Sequence, residues 1–224
     1  GQSIDADLRT LAPKYGLTYL GVKYFNEGAQ DMVSQVSALK NADAIFVSGN
    51  ATDAGVIAAS AKQVGYKGTL VGNNGLQGYT YVEGSNGAAN GTIFASNNLD
   101  YDTSIPASQW PTAYRDHVNA VVKQFGVTTG PKSGVKEFKG TAPAGDCVAE
   151  WAAAVRSAGT FDSTKVAQTW QTMSFTADQI PSGIPVKFTP TSHDEYQGPA
   201  EMFIYQWVKT GSQSWTVKQL QAAS

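Results

Sequence analysis

Apolar positions in the first hundred residues follow two alternating rhythms. Ile4, Leu8 and Leu11 fall on one stripe and predict a helix over 2–14. Leu17 to Phe25 then reads as a strand. Met32, Val33, Val36 and Leu39 recur at i, i+1, i+4 and i+7, so 29–40 predicts a second helix. Ala44-Ile45-Phe46-Val47 is a short apolar run ending in Ser48-Gly49-Asn50, the shape of a buried parallel strand. Val56, Ile57, Ser60 and Val64 mark a third helix over 53–64, with Gly65 where a C-cap belongs. Thr69-Leu70-Val71 is the next strand, stopped by Gly72-Asn73-Asn74-Gly75. A short helix over 76–83 and the strand Thr92–Ala95 complete the series. Helices alternating with short apolar strands predict a parallel sheet covered on both faces. In open sheets of this kind ligands sit at the carboxyl ends of the strands, where the loops 48–53 and 72–77 lie.

The second half has another pattern. Trp110, Tyr114, Val118, Val121, Val122 and Phe125 stripe a helix over 108–125. Val148, Trp151, Ala152 and Val155 stripe a second over 146–158, and a third runs over 162–172 behind a cap at Asp162 or Ser163. No run between 100 and 185 reads as a strand. Met202–Val208 alternates, Thr210-Gly211-Ser212 turns, and Trp215–Val217 returns, which predicts a hairpin. Three amphipathic helices need a surface to cover, and this stretch supplies no sheet. The first half also opens on a helix where a strand–helix series opens on a strand. Both features predict that the chain is a fragment cut just after a β-strand, with the missing sheet upstream of Gly1. The alternative is that the three helices pack on each other as a small bundle.

The balance of residue types narrows the function. The chain has 224 residues, 42% hydrophobic and 15% charged, with a net charge of −2, and so can bury a sizeable core. Lys and Arg form no basic face, which argues against nucleic acid and a membrane surface. A single cysteine, Cys147, allows no intrachain disulfide and fits no zinc pattern. At the start of a helix its thiol could be activated, but the preferred reading is a small buried residue. No apolar run approaches the roughly 20 residues of a membrane-spanning helix.

Catalytic patterns are missing. His117 lies off its helix's apolar stripe and reads as a solvated surface residue. His193, in Thr191–Tyr196 beside two acids, reads as part of a polar turn before the hairpin rather than a metal or acid–base group. There is no Gly-x-Ser-x-Gly, no Gly-x-Gly-x-x-Gly and no phosphate loop. The expectation is therefore no catalytic residue, no metal and no cofactor. What remains is small and polar residues at strand ends. Gly49, Asn50, Ala51, Asn73 and Asn74, with Asp146 at a helix start, are the candidate ligand-binding residues. Each has a plainer alternative: Asn beside Gly is a common turn residue, and Asp at a helix start is an N-cap.

The order of these segments resembles the amino-acid and amide branch of the type I periplasmic binding proteins. Gly1–Ile4 is similar to the family's Tyr-Gly-x-x helix start. Asp31-Met32-Val33 through Ala44–Gly49 resembles its Asp-Phe-x-x-x-Leu … Ala-Asp-x-Val-x-x-Gly run. Ala61–Gly65 followed by Leu70-Val71-Gly72 resembles its Ala-x-x-x-Gly step. Gly145-Asp146-Cys147-Val148 is similar to Tyr-Asp-Ala-x, and Gly198-Pro199 before an aromatic hairpin resembles the C-terminal signature.

The resemblance implies an α/β parallel three-layer sandwich of the periplasmic-binding-protein type I kind, with Rossmann-like lobes and an incomplete first lobe. By analogy 1–101 is the second lobe without its first strand, 102–188 the helical part of the first lobe, and 189–224 a hinge crossing with the hairpin of the second. It implies a non-enzymatic, extracytoplasmic solute-binding protein of an ABC importer, closing on a small polar solute by hinge motion. Its partners would be that solute, the membrane permease, and the missing N-terminal lobe or another chain against residues 105–172, with no nucleic acid. Localisation would be periplasmic or extracellular, with a secretion or lipoprotein signal in the upstream segment. The family's usual clamp for a ligand ammonium is an acid where this chain has Asn74, and its usual aromatic after the strand-end Gly is Asn50. A neutral amide holds an ammonium less strongly than a carboxylate does. The expected solute is therefore an amide, urea-like compound or aromatic acid at least as well as an aliphatic amino acid. The alternatives are a ligand-sensing domain of a regulator or receptor with this fold, and an α/β enzyme.

Overall fold

The computed structural model describes residues 2–96, 106–126, 138–193, 202–212 and 215–222. They divide into two compact units. The first contains 1–96 and 205–216, and the second 97–204 and 217–224.

The first unit follows the apolar rhythm of the sequence. Helices α1 (Gln2–Leu11), α2 (Val33–Leu39), α3 (Ala51–Gln63) and α4 (Tyr79–Gly84) alternate with strands β1 (Ala44–Val47), β2 (Thr69–Gly72) and β3 (Ile93–Ser96). β1 pairs parallel with β2 from Ala44↔Thr69 to Val47↔Gly72, and β2 pairs parallel with β3. The hairpin strands β6 (Phe203–Lys209) and β7 (Trp215–Ala222) extend the sheet, giving the order β1-β2-β3-β6-β7. Gly65 takes the left-handed φ of +70° that ends α3, as its place in the sequence predicts.

The sheet's core is aromatic. Phe94 stacks on Tyr205 at 5.6 Å between ring centroids, and Trp207 tilts against Phe94 at 6.1 Å. Tyr79 meets the edge of Trp207. Tyr81 is fully buried and shares a 2.6 Å hydrogen bond with Thr92, and burial pushes its phenol up to about 12. On the helical side α3 crosses α4 at glycines: a Cβ on Gly55 would lie 2.9 Å from the Gly84 Cα.

The predicted strand over 17–25 does not form. Residues 17–26 belong to no helix or strand among the described residues, and Gly21 takes a φ of +113° that interrupts an extended run. The alternating pattern is there, but a strand exists only through a neighbour's hydrogen bonds. Consistent with this, Leu17 and Leu20 stand exposed, α1 buries none of its residues, and β1 covers one face only, leaving Phe46 39% exposed. The segment is tied down by its ends instead. Asp5 accepts hydrogen bonds from the hydroxyls of Tyr19 and Tyr24, which with Arg9 hold its carboxyl below the usual range.

In the second unit, α5 (Thr112–Phe125) buries Tyr114, Val118 and Val121 with Trp110 against them. α7 (Ser163–Trp170) is capped by Asp162, whose carboxylate accepts from Lys165 N at 2.9 Å. α6 runs Phe138–Ala158, starting earlier than the stripe predicts and carrying Pro143 inside it. A short antiparallel pair, β4 (Ser174–Phe175) and β5 (Val186–Lys187), corrects the expectation of no strand before 185. Its Phe175 and Val186 bury with Ile180. Several side chains depart from expectation. Cys147 is exposed rather than buried. His117 is half-buried rather than solvated, and loss of hydration pulls its imidazole below 6.5. Val148 and Trp151, on the predicted stripe of α6, stay exposed. Gly198 and Pro199, quoted above as a signature, lie outside the described residues.

Candidate functional site

The site is assembled where β1 and β2 end. β1 stops at Val47, and the chain turns through Ser48 and Gly49 into Asn50, the N-cap of α3. Asn50 is extended (φ −72°, ψ 170°), and its Oδ1 accepts from Asp53 N at 2.9 Å. That bond satisfies one of the unpaired amides of the helix start. β2 stops at Gly72, and Asn73 Oδ1 accepts from Gly75 N at 3.0 Å, fixing the tight turn that contains Asn74.

The two loops touch through their backbones. A Cβ on Gly72 would lie 2.6 Å from the Val47 oxygen, and one on Gly75 would lie 2.0 Å from the Gly49 oxygen. Only glycine permits that approach. Gly49, Asn50, Ala51, Asn73 and Asn74 therefore sit together at the carboxyl edge of the first unit's sheet, with Asn50 and Asn74 exposed there.

A third segment joins them. Asp53 is buried, 3% exposed; its Oδ1 accepts from Gly28 N at 3.0 Å and its Oδ2 from Asn50 Nδ2 at 3.0 Å. The same Asn50 amide reaches Glu27 at 3.3 Å. Asp53 thus carries the turn at 26–30 onto the end of β1. The Asn50-x-x-Asp53 spacing is the sequence signal for a helix start, but its bond to a residue 25 positions upstream leaves no trace in the pattern. Asp53→Ala removes both accepted bonds. It is expected to destabilise the first unit by about 2 kcal/mol in denaturant unfolding, within the range for hydrogen bonds to charged groups. Asp53→Asn, which keeps one acceptor, should lose less.

Asp146, the sixth candidate, lies in the second unit on α6. It is fully buried, and its Oδ1 accepts from Ser182 N at 2.7 Å. Chemically the strand-end loops offer amide donors and acceptors and backbone N–H groups. Among the described residues no cluster of three or more His, Cys, Asp or Glu side chains could hold a metal ion.

Residues 1–212 match the family described as Periplasmic binding protein. The chain belongs to that family. Among solved structures, this periplasmic binding protein is similar to a periplasmic binding protein type 1 from Bordetella pertussis Tohama I, at 21% identity and a TM-score of 0.78. The likeness covers 96% of this chain and 57% of that one. A branched-chain amino acid ABC transporter protein from Thermus thermophilus with bound valine is similar at 17% identity and a TM-score of 0.72, over 97% of this chain and 56% of that one. The branched-chain amino acid transporter substrate binding protein of Streptococcus pneumoniae, in complex with isoleucine, is similar at 19% identity and a TM-score of 0.61, over 94% and 56%. The chain thus spans little more than half the length of the proteins it resembles. No curated protein sequence matches it. The fold is that of the type I periplasmic binding proteins, a mixed α/β chain with a mostly parallel sheet. None of the described helices is long and apolar enough to cross a membrane.

Proposed function

We propose that this chain forms part of an extracytoplasmic solute-binding protein that serves an ABC importer and takes up a small polar solute. The observation that carries this reading is the paired strand-end loops: Gly49–Ala51 and Asn73–Asn74 held in backbone contact, presenting exposed amides at the carboxyl edge of a parallel sheet. That edge is where open α/β sheets bind ligands. The solute is an amino acid, an amide or an aromatic acid, and of these the amide or aromatic acid suits the loops better. Asn50 and Asn74 offer dipoles where an ammonium would call for a carboxylate, and Asp53 is committed to Gly28 and Asn50. The exposed Val148, Trp151 and Phe161 of the second unit support a partner over its helices, either further sequence of the same protein or another chain.

The test is calorimetric titration of the full-length protein against leucine, valine, aliphatic amides, urea and aromatic acids. The expected result is tightest binding of an uncharged amide or an aromatic acid, weakened at least about tenfold by Asn74→Ala. Leucine or valine as the tightest ligand would overturn the choice of solute class. Binding of none of them would overturn the solute-binding reading.

A further inference from the structure

Helix α6 carries two acids one turn apart, Asp146 and Glu150, and both are sealed from solvent, at 0% and 3% exposure. Residues four apart lie on the same side of a helix. Among the described residues each has a hydrogen-bond partner. Asp146 Oδ1 accepts from Ser182 N, in the turn before β5, and the Trp170 indole of α7 hydrogen-bonds the Glu150 carboxyl. Each also keeps one buried oxygen with no hydrogen-bond partner among the described residues, Oδ2 on Asp146 and Oε1 on Glu150.

Two ionised carboxylates in that arrangement would repel each other and leave two desolvated lone-pair sets unmatched, a cost of several kcal/mol per ion in general. A proton on one of them removes both faults at once. The protonated acid becomes a donor, and the remaining carboxylate is an acceptor for it. We propose that Asp146 and Glu150 hold a single proton between them, carried on Glu150 Oε1 and donated to Asp146 Oδ2, and that this proton locks α6 to α7 and to the 180–184 turn in a pH-sensitive way.

The proton is placed on Glu150 because Asp146 already accepts a 2.7 Å hydrogen bond from the Ser182 backbone N–H. Burial first, and then the charge of Asp146, push the Glu150 carboxyl up to about 7. From α5 the titratable group that faces the pair is His117, whose ring is 3.5 Å from where a Gly145 Cβ would stand and which feels the Asp146 charge. From α7 the facing group is the uncharged Trp170. From the 176–184 segment it is the Ser182 N–H, since Asp178 is bonded to Thr112 N at 2.6 Å.

The sign separates the two groups. A carboxyl whose folded value is raised gives its full stabilisation below its ordinary 4.5 and loses it as pH rises through about 7. His117, lowered from 6.5 by burial, acts in the opposite direction and costs stability as pH falls. Denaturant unfolding of the full chain from pH 5.5 to 8 is therefore expected to show the folded-to-unfolded ratio of the second unit falling about tenfold or more as pH rises. Fluorescence of Trp170, with the other tryptophans replaced by phenylalanine, reports that unit. Glu150→Gln, which keeps the shape and supplies a permanent donor, should flatten that slope, while His117→Gln should leave it in place. Carbon NMR of the glutamate carboxyls in the unaltered chain gives a second reading that needs no variant. One resonance should titrate near 7 and disappear from the titration in Glu150→Gln. A stability that rises or stays level with pH in the unaltered chain, or glutamate carboxyls that all titrate below about 5.5, would overturn the proposal.

Discussion

Replacing Trp207 with alanine is expected to lower the unfolding free energy of the first unit by about 4 kcal/mol, the largest loss from any single side chain of the sheet. Trp207 is 3% exposed and lies between Phe94 and Tyr79, so truncation empties an aromatic-sized volume that rigid neighbours cannot fill. Its indole N–H also donates to the Leu76 oxygen at 2.7 Å, and the variant leaves that carbonyl without its donor in a buried place. Trp207→Phe separates the two contributions. It keeps most of the packing, loses the donor, and should cost about 1–2 kcal/mol. Chemical denaturation followed by far-UV circular dichroism reads both. Leu76 closes the turn containing Asn74, so the alanine variant should also loosen the candidate site, measured as faster amide exchange at 73–77. Equal losses in the two variants would mean that the hydrogen bond, not the ring, is the anchor.

Gly75→Ala is expected to cost about 3 kcal/mol, at the upper end of what overpacking does. The new Cβ would stand 2.0 Å from the Gly49 oxygen, and both partners are backbone, so neither can swing aside. The loops must separate, and with them Asn50 and Asn74. The control is Gly49→Ala in the same contact region. There the nearest atom is the Phe25 ring tip at 3.3 Å, a side chain that can move, and the expected loss is under about 1 kcal/mol. Thermal unfolding of the two variants side by side checks the contrast. A Gly75→Ala protein as stable as Gly49→Ala would show that the two loops are not held in register by their close approach.

How much of this was legible in the sequence depends on how local each cause is. β1, β2, β3 and α3 could be read from short apolar runs and Gly-flanked stops, because a short strand bounded by turn residues shows in consecutive positions even where only alternate residues are fully buried. The paired loops could be found for the same reason: they are the polar punctuation after those runs. The strand expected at 17–25 has the right alternation, but alternation does not supply the neighbour that makes a strand. The early start of α6 was hidden by Gly140, Pro143 and Gly145, which read as breakers. The helix nevertheless runs through all three, with Ala142 buried inside it. β4 and β5 are two residues each, too short for any period to show. Asp53 is recognisable as a helix-start acid, whereas Asp146, expected at a helix start, lies well inside α6 because that helix begins at Phe138. What each one holds, Gly28 in one case and Ser182 in the other, is 25 and 36 positions away and is fixed only by the folded chain.

The open border of the sheet has a practical side. Among the described residues β1 stands at one end of the strand order, four residues long and uncharged, with Phe46 39% exposed. A short apolar border of that kind is a template on which another extended segment can add. Sequences that must leave such a border bare usually guard it with lysine or proline, and Ala44–Val47 has neither. A molecule that left this border bare would offer it to an extended segment of a second copy as the protein is concentrated. What lies alongside Ala44–Val47 would then bear on solubility separately from the aromatic core behind it.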